Sequence, residues 1–196
     1  VFMPIGLAYF AGALLAEGYN CEVVDAFGEN PNQIWTEGDF IFRGIQPSEI
    51  VDHVNSKSPE PPEVFFVYAI NLTYHRSTLS IIQMLRNSFP SVPIAVLENT
   101  QAVTGYALGE IQDEFYDAGA TYVVMGEPEE RGIKLIKHIL SQGKDEQLLK
   151  VDGIGFRKDG VTIHTSAVKK VDDLDSLAFP AWELFPVHNY WKLKYA

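Results

Sequence analysis

The chain has 196 residues, of which 46% are hydrophobic and 21% charged, and its formal net charge is −11. That acidity argues against a nucleic-acid partner, which needs clustered Lys and Arg, and against adsorption to an anionic membrane. The single cysteine, Cys21, rules out an intrachain disulfide and any cysteine-ligated zinc or iron–sulfur site built from this chain alone, which fits a reducing cytoplasm.

Twelve Phe, nine Tyr and three Trp supply enough apolar surface for one well-buried core. The chain opens on residues 5–17, apolar nearly all round, with Pro4 before them and Gly18 after; this predicts a buried helix, too short to span a bilayer. "CEVVDAF" (21–27) is β-branched and predicts a strand with Asp25 at its end as a local cap. "GENPNQIWTEGDFIFRG" is rich in turn residues and reads as an irregular surface connection. Ser48 predicts the N-cap of a short helix over 49–54, which "SKSPEPPE" ends.

The apolar run "VFFVYAI" (64–70) lacks alternation and predicts a strand covered on both faces, as in parallel sheets. Leu79, Ile82, Leu85 and Phe89 then fall at helical spacing. "PIAVL" (93–97) predicts a second buried strand, and Leu108, Ile111 and Phe115 a second helix. "TYVVM" (121–125) predicts a third strand, with Ile133, Ile136 and Leu140 marking the helix after it. This alternation implies a parallel crossover sheet of the doubly wound, flavodoxin-like class, whose ligand crevice lies beyond the carboxyl ends of the strands. Such a domain ordinarily begins on a strand, so a first strand is expected upstream of Val1. "GIGFRKDGVTIHT" (153–165) predicts a hairpin around Asp159-Gly160. "VDDLDSLAFPAWELFP" has no regular period and reads as a docking linker. The expected division is a domain over 1–145 and a hairpin with linker over 146–196.

Three stretches, "PIGLAYFAGALLAEGYNCEVVDAF", "VVMGEPEE" and above all "DDLDSLAFPAWELFP", resemble the N-terminal half of cobalamin-dependent radical SAM enzymes. That class includes methyltransferases and oxidative cyclases related to the magnesium-protoporphyrin enzymes. The resemblance implies a Rossmann-like cobalamin-binding domain that precedes a barrel, in the same polypeptide, carrying a CxxxCxxC-held [4Fe-4S] cluster and S-adenosylmethionine. It implies that Asn71, Leu72, Thr73 and Tyr74 lie against the corrin's lower face or tail, that Glu98, Asn99, Thr100 and Thr104 flank the tail, and that Gly126, Glu127 and Pro128 approach the ring edge. No DxHxxG run is present, as in many radical SAM relatives. Relatives often carry two glycines after the second strand, where this chain has Glu98-Asn99.

Local chemistry offers plainer readings beside these. Gly126-Glu127-Pro128 is also ordinary helix-start chemistry. His75 reads as an exposed loop histidine rather than an axial metal ligand, and Cys21 as a small buried hydrophobe. Three functions remain open: a cobalamin-binding module, a cofactor-free fold used for docking or substrate positioning, and a flavin-binding domain. The last would need a phosphate-cradling loop after the first strand.

Overall fold

A computed structural model of the chain describes residues 3–57, 60–100, 107–167 and 169–193. The chain divides into two compact units, residues 1–60 with 178–196, and residues 61–177.

The first unit opens on α1 (Ile5–Ala16), whose buried residues Ala8, Phe10, Ala11 and Leu14 lie on more than one side of the helix. The expected strand over 21–27 does not form: residues 21–25 join no ladder. A strand exists through the hydrogen bonds it shares with a neighbour, and this segment has none. Asp25 instead accepts the Gly28 N–H at 3.0 Å and starts α2 (Ala26–Glu29), the local cap its position suggested. Cys21 is half-buried, and burial pushes its thiol pKa up.

The stretch expected to be irregular holds an antiparallel hairpin, β1 (Ile34–Glu37) and β2 (Phe40–Arg43), joined by Gly38-Asp39. Its β-forming residues were masked by the surrounding Gly, Asn, Pro and Asp. Trp35 stacks on Phe42 with ring centroids 4.4 Å apart. Helix α3 (Pro47–Lys57) starts earlier and runs further than predicted, with Ser48 inside it. Proline suits the first helical position, and Glu49 Oε2 reaches back to the Gln46 N–H at 2.8 Å, half of a capping box.

The second unit contains β3 (Phe65–Ala69), a 3₁₀ turn at Leu72–Tyr74, α4 (His75–Ser88), β4 (Ile94–Glu98), α5 (Leu108–Ala118), β5 (Tyr122–Val124), α6 (Pro128–Leu140), α7 (Asp145–Leu148), β6 (Ile154–Lys158) and β7 (Val161–His164). The strands form one sheet in the order β3-β4-β5-β6-β7. The first three are parallel, as predicted, whereas β5–β6 and β6–β7 are antiparallel. The sheet is therefore mixed, because the hairpin does not stand apart. It pairs with β5, places Ile154 opposite Val124, and so covers an edge that would otherwise expose unpaired backbone. Asp159 and Gly160 take φ values of 51° and 77°, the two positive angles a two-residue I′ turn requires. Ile94, Ala95, Val96, Leu97, Val123 and Val124 are fully buried, which explains their unbroken apolar runs.

Arg86 fastens the amino-terminal end of this sheet. Its guanidinium donates to the carbonyls of Gly119 (2.9 Å), Pro90 (2.6 Å) and Val92 (3.0 Å) and to Thr121 Oγ1 (3.0 Å). The same Thr121 oxygen accepts the Ile94 N–H at 3.1 Å. Five donors in a planar fork let one side chain serve four acceptors.

The chain then returns to the first unit. Ala181 N–H donates to Ala8 O at 2.9 Å, and Phe179 passes so close to Gly12 that an added Cβ would strike its carbonyl oxygen. The short helix α8 (Val187–Trp191) ends the described chain. From it Asn189 Nδ2 donates to the carbonyls of Gly28 (2.9 Å) and Glu29 (3.2 Å).

Candidate functional site

Parallel pairing aligns the carboxyl ends of β3, β4 and β5, with Ala69 opposite Glu98 and Leu97 opposite Val124. The loops after these strands therefore share one rim. After β3, Asn71 Oδ1 accepts from the Thr73 N–H at 3.0 Å and from the Thr73 hydroxyl, capping the 3₁₀ turn. Leu72 stands 60% exposed, and Tyr74 closes the turn, its carbonyl accepting the hydroxyls of Ser77 and Thr78 at 2.9 Å. His75 is not the exposed loop residue expected. It begins α4, its ring meets Phe115 edge-on, and Nε2 lies 3.0 Å from Glu114 Oε2 of α5.

Glu98 and Asn99, after β4, tie the three loops together. Glu98 Oε1 accepts the Leu108 N–H at 3.0 Å, satisfying an amide at the start of α5. Its Oε2 accepts the Gly126 N–H from the loop after β5. Asn99 Nδ2 donates to Ile70 O at 2.7 Å, in the loop after β3. The partner this carboxylate required is thus supplied by two backbone amides. Thr100 is exposed; Thr104 lies outside the described residues.

After β5, Gly126 adopts φ +73°, and a Cβ there would run into the Arg131 guanidinium. Only glycine meets both conditions without strain. Glu127 Oε2 accepts the Val171 N–H at 2.8 Å, so this carboxylate is fastened to the chain that follows the hairpin. Pro128 is buried as the first residue of α6, where a missing N–H costs nothing.

The side chains of two residues outside the expected binding loops, Arg131 and Glu129, are buried beside them. Arg131, 5% exposed, donates to Asp152 through Nε (3.0 Å) and Nη2, to Glu127 O (3.2 Å) and to Lys169 O. Glu129 is 9% exposed, and its Oε2 has no hydrogen-bond partner among the described residues. Burial, with a smaller push from the Glu127 charge, raises the Glu129 pKa against the pull of its own backbone N–H and Arg131. Tyr68, near the end of β3, is raised first by burial and then by the Glu129 charge, which puts the two side chains within electrostatic reach of each other. A signal for both existed. Glu129, Ile133 and Ile136 follow the i, i+4, i+7 spacing, and Arg131 precedes Leu135 by four, so both charged residues lie on the apolar stripe of α6.

Beside the clasp, a hollow of about 20 Å³ lined by Glu127, Arg131, Asp152 and Lys169 has room for roughly one water molecule. Among the described residues no group of three or more His, Cys, Asp or Glu side chains is arranged to hold a metal ion, and no helix is long and apolar enough to cross a membrane.

No protein-family model matches the chain. It is 23% identical over a 221-residue alignment to the cytidylyl-2-hydroxyethylphosphonate methyltransferase of Streptomyces wedmorensis, covering 97% of this chain and 38% of that protein. It is 25% identical over 187 residues to the anaerobic magnesium-protoporphyrin IX monomethyl ester cyclase of a Synechocystis species, covering 95% of this chain and 32% of the relative. Two solved structures of TsrM, a radical S-adenosylmethionine methyltransferase from Kitasatospora setae, match at a TM-score of 0.60 and 14% identity. One holds cobalamin and a [4Fe-4S] cluster and covers 92% of this chain and 29% of its own; the other holds tryptophan and a SAM analogue and covers 86% and 28%. Along nearly its whole length, this chain is therefore similar to about a third of a methyltransferase and a cyclase, and it shares its fold with part of a radical SAM methyltransferase.

Proposed function

We propose that this chain is the cobalamin-binding domain of a radical SAM enzyme, a methyltransferase, and that it holds and orients the corrinoid for chemistry in a barrel of the same polypeptide. The observation that carries this reading is the rim over β3, β4 and β5, in a chain whose fold matches a structure that holds cobalamin. The rim suits a broad, amide-bearing ligand. Gly126 brings the loop backbone hard against the Arg131 guanidinium, and Glu129 keeps a buried carboxyl oxygen without a partner among the described residues.

In this reading Asn71, Leu72, Thr73, Tyr74, Glu98, Asn99, Thr100, Thr104, Gly126, Glu127 and Pro128 form the binding loops. Residues 1–145 make, on this reading, the flavodoxin-like domain, its sheet extended by the hairpin after it, and residues 146–196 lead toward the barrel. When bound, cobalamin supplies methyl-group chemistry at cobalt; the barrel would hold the [4Fe-4S] cluster and S-adenosylmethionine. The chain's own part is to bind, orient and exclude water from one face of the ring. Such work belongs in the cytoplasm.

A second reading draws on Glu98 and Asn99, whose hydrogen bonds join the three loops where relatives often carry glycines. In that reading the fold has lost its cofactor and serves in docking or substrate positioning. Mixing the chain with hydroxocobalamin and desalting it separates the two. Retained corrinoid absorbance at about one equivalent supports the first reading, and colourless protein the second.

A further inference from the structure

Glu129 raises a question of physical cost. A buried polar atom without a partner destabilises a fold, and native structures keep few of them. Glu129 Oε2 is such an atom, on a side chain 9% exposed at the second position of α6, beside the rim. Arg131 pulls on the Glu129 charge from nearby, but its hydrogen bonds go to Asp152, Glu127 O and Lys169 O. The other charged neighbours on the loop and helix, Glu127 and Glu130, carry the same sign as Glu129. On the sheet side the Tyr68 phenol feels its charge, which raises the phenol pKa further after burial.

Building on the cobalamin reading, we propose that Glu129 is a specificity-determining residue that pairs with an uncharged primary carboxamide of the bound ligand and rejects a carboxylate at the same place. A primary carboxamide carries both a donor and an acceptor, so it complements a carboxyl group whether or not that group holds its proton. A ligand carboxylate would meet the Glu129 and Glu127 carboxylates beside an Arg131 whose hydrogen bonds already go to Asp152 and to the Glu127 and Lys169 carbonyls. The raised Glu129 pKa agrees with a carboxyl held in low-dielectric surroundings.

The test uses the full chain, cyanocobalamin and the cobalamin monocarboxylates in which one peripheral amide is hydrolysed, with Kd read from visible absorbance. Wild type is expected to bind one monocarboxylate isomer at least tenfold more weakly than cyanocobalamin, and Glu129→Gln to lose that discrimination while binding cyanocobalamin within about threefold. Glu129→Leu is expected to bind cyanocobalamin about tenfold or more weakly while melting higher without ligand, since it removes the unpartnered oxygen. A residue with a merely structural role would lower the melting temperature. Equal affinity of wild type for every monocarboxylate overturns the proposal, as does unchanged binding by a folded Glu129→Leu. If wild type takes up no cobalamin at all, the functional reading itself fails, a result distinct from either of these.

Discussion

Tyr190 donates its hydroxyl to Asp25 Oδ2, joining two buried residues 165 positions apart in the chain. Asp25 Oδ1 is already engaged by the Gly28 N–H, so both carboxylate oxygens are served. The bond makes the C-terminal helix α8 part of the first unit rather than a tail. Tyr190→Phe keeps the ring, which lies 5.7 Å from that of Phe27, and removes only the donor. One buried carboxylate oxygen is then left unpaired, which costs about 1–3 kcal/mol. Urea denaturation followed by tryptophan fluorescence should show the midpoint falling, and an unchanged midpoint would refute this account.

Gly12 gives a prediction whose sign opposes helix propensity. Inside a helix, Gly→Ala ordinarily gains about 1 kcal/mol. Here the new methyl would collide with the Phe179 carbonyl, which is backbone and cannot swing away. Gly12→Ala should therefore destabilise, whereas Gly18→Ala, with open space around it but φ +84°, meets only backbone strain. A higher melting temperature for Gly12→Ala would show that the crossing over α1 is not as drawn.

Glu98 is the strut of the rim. Glu98→Ala strips partners from the Leu108 and Gly126 amides together, although they belong to different loops. Amide hydrogen exchange should accelerate at both positions while β4 itself stays protected. Acceleration at only one of them would mean that the carboxylate does not bridge.

The pH dependence of stability follows from Glu129. Its unfolded carboxyl titrates near 4.5, and in the folded chain burial raises the pKa above that value. Between the two values the folded state holds the extra proton. The resulting stability is fully present below about 4.5 and is lost as pH rises through the folded pKa. Glu129→Gln should flatten that decline, so the denaturation curves of variant and wild type should diverge toward neutral pH. Parallel curves would count against a buried, ionisable Glu129.

The parallel part of the second unit was readable because its central strands β4 and β5 are buried on both faces and its helices on one. Phe65–Ala69 and Ile94–Glu98 appear as unbroken apolar runs, and α4 and α5 as spaced apolar stripes. The hairpin turn could be read from Asp159-Gly160 alone. Its pairing with β5 could not, because ladder partners are chosen by the tertiary fold rather than by local residue order. The same limit hid the fate of residues 21–25, which have strand composition but no partner to bond with. In the rim, the strand ends could be read from the sequence, and the residues after them were expected from the resemblance. That Glu98 spans two loops, and that Arg131 joins Asp152 to the Glu127 and Lys169 carbonyls, depend on where separate loops meet.

The Arg131 clasp has a mechanical consequence. One guanidinium holds Glu127 O, Asp152 and Lys169 O at once, and the Glu127 side chain returns to grip Val171 N. A tug on residues 169–171 is thus delivered to the glycine-bearing loop through a short, stiff linkage rather than dissipated in slack chain. A pull on that ribbon would reach the residue next to Gly126, whose own N–H is held from the other side by Glu98.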